Sequence, residues 1–150
     1  MYRNGSYAII VNENDELLII QKHIYNLDEW TIIGGGKKTG ESIKNGLIRE
    51  IYEETGLVDN DLKIIGPSSF KIRYIYPKKV AKNVNGGKYI GQEYYQFIVK
   101  IKKSKKIICN EEIRKYKWVV FEDLEKYLIF PNQFESVKNA INELDYGLAK

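Results

Sequence analysis

Three glutamates fall on nearly the same face of one predicted helix. Residues 42–55 predict a helix, on which Glu50, Glu53 and Glu54 lie within a sector of about 100°. Like charges three or four positions apart destabilise a helix by about 0.2–0.5 kcal/mol per pair, and only Arg49 offers an intrahelical counter-charge. Convergent carboxylates are hard oxygen donors suited to Mg²⁺ or Mn²⁺. The pattern therefore indicates a divalent-metal site, and a solvated acidic face is the alternative.

Glycines accompany this helix. Gly56 follows its last turn, where a left-handed C-terminal cap is usual. Gly46 lies within the helix, one turn before the carboxylates and on the same face, although an interior glycine costs about 1 kcal/mol relative to alanine. It either leaves space for a ligand above the carboxylates or is an incidental weak point. The glycine loop 34–36 ahead of the helix favours the metal site over the solvated face.

Short apolar runs around the helix predict the strands that must position it. Runs rich in Ile and Val at 6–12 and 16–22 indicate two adjacent strands joined by a polar turn. Five more strands and an amphipathic C-terminal helix are predicted, at 30–33, 63–65, 69–76, 94–102 and 116–121 for the strands and 132–144 for the helix. A loop is expected from 77 to 87. The strands outnumber the helices, which predicts an α/β domain with a mixed sheet.

The composition limits the class of protein. The chain has 150 residues, 43% hydrophobic and 29% charged, which is the profile of one globular domain covering 1–150. The single cysteine, Cys109, has no partner for an internal disulfide, which favours a reducing, cytoplasmic compartment. No run approaches the roughly 18 apolar residues of a membrane span. We therefore expect a soluble protein that uses no membrane partner and needs no obligate protein partner.

One stretch of the chain is distinctly basic. The segment 71–92 contains no acidic residue and six basic ones, namely Lys71, Arg73, Lys78, Lys79, Lys82 and Lys88. The formal net charge of the whole chain is only +4, so this asymmetry is local. It indicates a surface for a polyanion, with a solvated lysine-rich loop as the alternative.

The segment 35–57 resembles the complete Nudix box. Gly35, five residues, Glu41, seven residues and then the run from Arg49 to Leu57 fill all nine defining positions. Nudix hydrolases cleave a nucleoside diphosphate linked to another group. The resemblance implies an α/β/α sandwich around a central mixed β-sheet, in agreement with the predicted strands.

The resemblance also implies roles for the residues of the box. Metal binding falls to Glu50, Glu53, Glu54 and the loop residue Gly35, with Mg²⁺ or Mn²⁺ as the cofactor. One of Glu53 or Glu54 would also orient or deprotonate the attacking water, so these two and Arg49 are the catalytic candidates. Arg49 would hold the carboxylates in place by charge-assisted hydrogen bonds. Glu41 would fasten the loop to the helix.

Other parts of the chain are similar to the bacterial RNA 5′-pyrophosphohydrolases and the related dinucleoside polyphosphate hydrolases. These parts are the opening strand, residues 75–83 and 89–97, and the segment 112–121. The last implies a further metal ligand, Glu112, or Glu111 in its place. The substrate-binding candidates are Arg3, Tyr74, Lys78, Lys79, Lys82, Gln92 and Phe130. Tyr74, Tyr76 and Phe130 offer rings on which a base can stack.

The chain departs from that pattern next to the box. The proline and glutamine that precede the two glycines in those enzymes are absent from Ile33-Gly34-Gly35-Gly36, and Tyr94 and Gln96 replace a glutamine and a tryptophan. These changes weaken the assignment of a base or of RNA and leave the cleavage chemistry intact. His23, Trp30 and Trp118 are interpreted as structural.

The leading hypothesis is metal-dependent hydrolysis of dinucleoside polyphosphates or of the 5′-triphosphate end of RNA. A pyrophosphatase for nucleoside triphosphates or ADP-ribose is the second hypothesis. A catalytically silent module that binds nucleotide or RNA is the third. The complete set of glutamates in the box favours an enzyme.

Overall fold

The computed structural model describes residues 1–145 and 147–148, without the side chains of residues 80, 84 and 85. Within this part of the chain there are seven strands and four helices. The strands are β1 (Tyr2–Val11), β2 (Leu17–Lys22), β3 (Ile33–Gly36), β4 (Leu62–Ile65), β5 (Ile72–Ile75), β6 (Gly91–Ile101) and β7 (Ile113–Val119). The helices are α1 (Ile43–Thr55), α2 (Lys78–Ala81), α3 (Phe121–Tyr127) and α4 (Gln133–Leu144). Over the described residues, none of these helices has the length and apolar character needed to cross a membrane.

β1 is the central strand of one mixed sheet. β6 runs parallel to it along its whole length, from Tyr2 opposite Gly91 to Val11 opposite Lys100. The sheet order is β4-β6-β1-β2-β7, with β3 beside β1 and β5 beside β6. Every pair other than β1–β6 is antiparallel. The predicted mixed sheet is therefore confirmed, and so is the pairing of the first two strands.

Alternate side chains of β1 enter hydrophobic cores on opposite faces of the sheet, as the two-residue period of a strand requires. Ala8 and Ile10 pack in the same cluster as Leu47 of α1. Ile9 packs in the other cluster, with Ile141 of α4. Helices thus cover both faces, and the expected α/β/α sandwich is confirmed. The domain limits 1–150 stay a prediction, since positions 146, 149 and 150 lie outside the described residues.

The predicted third strand is wrong in its limits. Instead of ending at Ile33, the strand begins there and continues through the glycines to Gly36. Thr31 forms only an isolated bridge to Ile20. The three glycines have low strand propensity, which hides the pairing in the sequence. A side chain at Gly34 would collide with Tyr7 on β1, so a strand can lie this close only without one.

The chain between β4 and β6 also differs from the prediction. The strand expected at 69–76 is reduced to β5, and the loop expected at 77–87 contains α2 and a short 3-10 turn, Val84–Gly87. The backbone N–H of Ser69 donates to the Glu143 carboxylate at 3.0 Å, and that of Phe70 donates to the Ser68 hydroxyl at 3.0 Å. Because side chains take up these donors, this segment does not pair as a strand.

Candidate active site

Helix α1 carries the three glutamates, and local interactions fix both its ends. The Ser42 hydroxyl accepts a hydrogen bond from the backbone N–H of Asn45 at 3.0 Å, which is an N-cap. At the other end Gly56 has φ of 77°, and its N–H donates to the carbonyl of Tyr52. The predicted helix and its left-handed glycine cap are both confirmed. Leu47 of this helix is buried against the sheet, and this packing fixes the rotation of the helix and so the direction in which its glutamates point.

The carboxylates of the box open into one cavity of about 520 Å³. Seven of the residues singled out from the sequence line it: Arg3, Gly35, Glu50, Glu53, Glu54, Gln92 and Glu112. They come from the opening strand β1, the glycine strand β3, the helix α1, the strand β6 and the turn before β7. Residues far apart in sequence therefore meet around a single space. Glu111, the alternative to Glu112, is exposed and does not line it.

Glu41 in the loop is tied to Arg49 on the helix. Arg49 donates from Nε to Oε2 of Glu41 at 2.8 Å and from Nη2 to Oε1 at 3.0 Å. The backbone N–H of Lys38 donates to Oε1 at 2.8 Å. These bonds, above all those from Arg49, lower the pKa of Glu41 to about 2. The loop and the helix are joined in the way that the resemblance implies.

The same arginine also reaches the carboxylates. Nη1 of Arg49 donates to Glu50 at 3.0 Å and to Glu53 at 3.3 Å. Nη2 donates to the carbonyl oxygen of Gly36 on β3 at 3.1 Å. One guanidinium thus links the loop, two glutamates and the glycine strand, which is possible because its donors form a planar fork.

Glu54 differs sharply from its neighbours on the helix. It is only 4% exposed, whereas the Glu53 side chain is 45% exposed. Burial is the main reason that the pKa of Glu54 is raised to about 8; Glu50 raises it further, and Lys22 opposes the shift. Its Oε1 atom is buried with no hydrogen-bond partner among the described residues. The alternative of a solvated acidic face is therefore wrong for Glu54.

The glycine strand leaves room for charged side chains. A Cβ atom at Gly35 would lie 2.6 Å from the carboxylate of Glu50, and one at Gly36 would collide with the guanidinium of Arg3. Any side chain at these positions would displace groups that line the cavity. The glycines are thus needed for close approach of the glutamate and the arginine to the backbone.

Gly46 serves the loop and not a ligand. It is buried, and a Cβ there would lie 3.0 Å from Oε1 of Glu41 and 3.3 Å from the Cβ of Lys37. It does not line the cavity of the carboxylates. The idea that Gly46 opens space for a ligand is therefore wrong, because the loop 37–41 occupies that space.

The donor set fits a divalent cation. The carboxylates are hard oxygen ligands, and the unpartnered Oε1 of Glu54 is a buried acceptor that a cation would satisfy. No three His, Cys, Asp or Glu side chains in the described part of the chain already meet at a single point. Glu50 and Glu53 contact Arg49 instead. Binding of a cation would therefore require the Glu50 and Glu53 carboxylates to turn from Arg49 towards the ion.

A second cavity of about 600 Å³ adjoins the first, and Gln92 and Tyr7 line both. Of the three predicted base-stacking residues, Tyr74 and Phe130 line this second cavity, and Tyr76 lines neither cavity. The Phe130 ring packs edge-on against Tyr25, with centroids 5.2 Å apart. Tyr74 is 51% exposed, and its ring meets that of Tyr76 edge-on, with centroids 5.8 Å apart. The second cavity is more apolar in its lining than the first, which is rich in charged groups.

The lysines of the basic segment lie elsewhere. Lys78 and Lys79 are on α2 and Lys82 follows it; all three are exposed and line neither cavity. Arg73, earlier in the segment, is paired with Glu93 on β6. The structure therefore does not bring these lysines to the carboxylates.

Several residues of the first cavity were not predicted, among them Tyr7, Lys22, Tyr25, Tyr94 and Asn110. One of them, Tyr7, left a signal in the sequence, whereas Tyr94 is placed only by the pairing of β6 with β1. In the strand, Arg3 and Tyr7 point to the same face, with Gly5 between them. Tyr94 lies opposite Gly5 on the parallel strand β6. The strand period, applied from Arg3, predicts Tyr7.

Fold and site together define an α/β/α domain with a cavity lined by carboxylates and by one arginine, Arg3. The NUDIX domain matches residues 1–140, so the chain belongs to the NUDIX family of hydrolases. The RNA pyrophosphohydrolase of Legionella pneumophila (strain Corby) is 27% identical over 99% of this chain and 86% of its own length. That of Nitratiruptor sp. is 37% identical over 69% of this chain and 66% of its own length. Among solved structures, the E. coli dihydroneopterin triphosphate pyrophosphohydrolase has a TM-score of 0.75 at 17% identity, covering 95% of this chain and 99% of that one.

Proposed function

We propose that the protein hydrolyses phosphoanhydride bonds with a divalent cation, Mg²⁺ or Mn²⁺, at the 5′-triphosphate end of RNA or in dinucleoside polyphosphates. The observation that carries this proposal is that the carboxylates of Glu50, Glu53 and Glu54 face the same cavity as Arg3. Acidic groups alone would repel a phosphate chain. A site with both acidic groups and an arginine suits a cation and an anion bound together.

The residues have distinct tasks in this proposal. Nudix hydrolases generally use divalent metal ions, and such an ion, when bound, supplies positive charge to the phosphate oxygens and lowers the pKa of a coordinated water. Glu50, Glu53, Glu54 and Glu112 would hold it, with the carbonyl of Gly35. Either Glu53 or Glu54 orients or deprotonates the attacking water.

The remaining residues position these groups and the substrate. Arg49 keeps Glu50 and Glu53 at the cavity by direct hydrogen bonds. Arg3 binds phosphate oxygens in the same cavity. Tyr74, Gln92 and Phe130 bind the base side of the substrate in the adjoining apolar cavity. Lys78, Lys79 and Lys82 are proposed to attract the polyanion from outside the cavities.

Both substrates in the proposal have a polyphosphate joined to a nucleoside. The relatives named RNA pyrophosphohydrolase support the RNA end. The aromatic cavity beside the carboxylates supports either substrate, because each offers a base next to the phosphates. The reducing compartment that a single cysteine favours leads us to propose the cytoplasm as its location.

The direct test is to incubate the protein with Mg²⁺ and with either diadenosine tetraphosphate or a 5′-triphosphorylated RNA oligonucleotide, and to separate the products. Nucleoside triphosphates and ADP-ribose are run in parallel as the competing substrates. Glu53→Gln should lose the activity, and Glu122→Gln, an exposed glutamate on α3, should keep it. If neither substrate is hydrolysed, the proposal is excluded. If a nucleoside triphosphate or ADP-ribose is hydrolysed faster, that compound becomes the proposed substrate class.

A further inference from the structure

The second cavity contains a polar pair within its apolar wall. Gln133, the first residue of α4, and Thr31 both line it, and Nε2 of Gln133 donates to the Thr31 hydroxyl oxygen at 2.7 Å. Gln133 is 6% exposed and Thr31 is 5% exposed. Thr31 also lines the carboxylate cavity, so the pair stands where the two cavities meet.

The amide oxygen of Gln133 has no donor. Its Oε1 atom is buried without a hydrogen-bond partner among the described residues, and its amide nitrogen is already engaged with Thr31. Buried acceptors without partners are rare because losing hydration is unfavourable unless a hydrogen bond replaces it. A ligand in this cavity would therefore be favoured if it carried a donor at this position.

The rest of the wall suits a flat apolar ligand. The rings of Tyr25 and Phe130 meet edge to face at 5.2 Å, and the Ile24 side chain at the rim is 88% exposed. Aromatic rings beside one unpaired acceptor match a nucleobase that bears an amino group.

We propose that Gln133, held by Thr31, makes the enzyme prefer a base with an exocyclic amino group, such as adenine, over one with an oxo group in its place. This inference rests on the proposed function, because the base reaches the second cavity only if the phosphates are bound in the carboxylate cavity. The amino group donates to Oε1 of Gln133, and an oxo group would bring a second acceptor against it.

An internal comparison separates this site from an ordinary buried glutamine. Gln96 on β6 also has a buried Oε1 without a partner, and its Nε2 donates to the carbonyls of Phe70 and Ser136. Gln96 does not line either cavity. It is thus a control with the same chemistry and no access to a ligand.

The test compares diadenosine tetraphosphate with diinosine tetraphosphate, and RNA beginning with 5′-triphosphorylated adenosines with the same RNA beginning with inosines. In each inosine the 6-amino group is replaced by an oxo group and N1 carries a proton. We expect wild-type kcat/KM to favour adenine by about tenfold, the size of one buried hydrogen bond. In Gln133→Leu the ratio should fall to within about twofold of one.

Three variants keep the test decisive. Gln133→Glu retains an acceptor, to which the Thr31 hydroxyl can donate in place of accepting, and should retain the adenine preference. Thr31→Val should weaken the preference because the amide is no longer held. Gln96→Leu should leave the ratio unchanged. Circular dichroism and thermal melting establish that each variant is folded before its ratio is measured.

The outcomes separate the two claims. If none of these substrates is hydrolysed, the proposed function fails and this inference fails with it. If they are hydrolysed but wild type shows no preference or favours inosine, only the base preference fails. A preference that survives in Gln133→Leu would overturn the role of Gln133, and one that survives only in Thr31→Val would overturn the role of Thr31.

Discussion

Arg49 donates two hydrogen bonds to Glu41, from Nε to Oε2 at 2.8 Å and from Nη2 to Oε1 at 3.0 Å. Eight positions separate the two residues: Glu41 lies in the loop before α1 and Arg49 lies on α1 itself, and the carboxylate meets the Nε–Nη2 side of the guanidinium. The same guanidinium continues to Glu50 and Glu53. The position of the loop and the arrangement of the acidic side chains therefore depend on one residue.

The first prediction concerns this junction. Arg49→Lys should lower activity by about 100-fold, which corresponds to about 2.7 kcal/mol of transition-state stabilisation. It should also lower the free energy of unfolding by about 1–3 kcal/mol, since a single ammonium cannot replace the planar fork. Steady-state kinetics and chemical denaturation measure the two effects. Lys44→Ala, an exposed lysine on the same helix, is the control and should change neither by much.

The second prediction concerns stability in acid. The pKa of Glu41 is about 2 in the folded protein and is ordinarily 4.5, so its ionised form stabilises the fold. That contribution is complete above pH 4.5 and is lost as the pH falls from 4.5 towards 2. Glu41→Gln should therefore lower stability at neutral pH and flatten the loss of stability between those values. Thermal melting across the pH range measures this dependence of stability on pH. If Glu41→Gln loses stability between pH 4.5 and 2 as steeply as wild type, the stabilising role of the Glu41–Arg49 pair is contradicted.

The third prediction separates the glycine strand from ordinary glycines. Gly35→Ala should displace the Glu50 carboxylate, which its Cβ would approach to 2.6 Å, and reduce activity by about 100-fold. Gly40→Ala is the matched comparison, because its φ is +82° and its Cβ would meet open space. It should cost about 1 kcal/mol of stability and leave kcat near that of wild type. Equal loss of activity in both variants would argue against a site-specific role for Gly35.

The fourth prediction follows from the burial of Glu54. Glu54→Gln should abolish hydrolysis, and in the presence of a chelator it should raise the free energy of unfolding by about 1 kcal/mol. The reason is that burial raises the pKa of Glu54, so folding at neutral pH must either bury a charge or bind a proton at this side chain, and the amide requires neither. For Glu53, whose side chain is 45% exposed, the same substitution should leave stability unchanged. Denaturation of both variants in chelator distinguishes the two glutamates; a marked loss of stability in Glu54→Gln would be the contrary result.

The fifth prediction concerns the lysines outside the cavities. Replacing Lys78, Lys79 and Lys82 together by alanine should reduce kcat/KM for triphosphorylated RNA by about tenfold at low salt, and by less at high salt. A dinucleoside polyphosphate is too short to extend far beyond the cavities, so its kcat/KM should change by less than about twofold. Kinetics with both substrates at two salt concentrations decides the matter. An equal effect on both would place the lysines nearer to the phosphates than the structure has them.

The sequence by itself determined the helix with its glycine cap, the mixed sheet, the NUDIX membership and the identity of the box glutamates. These features depend on local periodicity and on fixed spacing within one segment, which a sequence displays directly. The limits of β3 could not be predicted from the sequence, because three glycines show no alternation of apolar and polar residues. Their pairing depends on the backbone of β1, which lies beside them only in the folded protein.

Only the tertiary structure decided which residues share the site. Burial separates Glu54 from Glu53 although the two are adjacent on the helix, and the packing of the loop against Gly46 removes the space that the sequence left open. Gln133 and Thr31 are 102 positions apart and meet only in the folded chain. Burial and contacts of this kind form only when elements distant in sequence, such as the sheet and α4, pack together. No local sequence pattern predicts them.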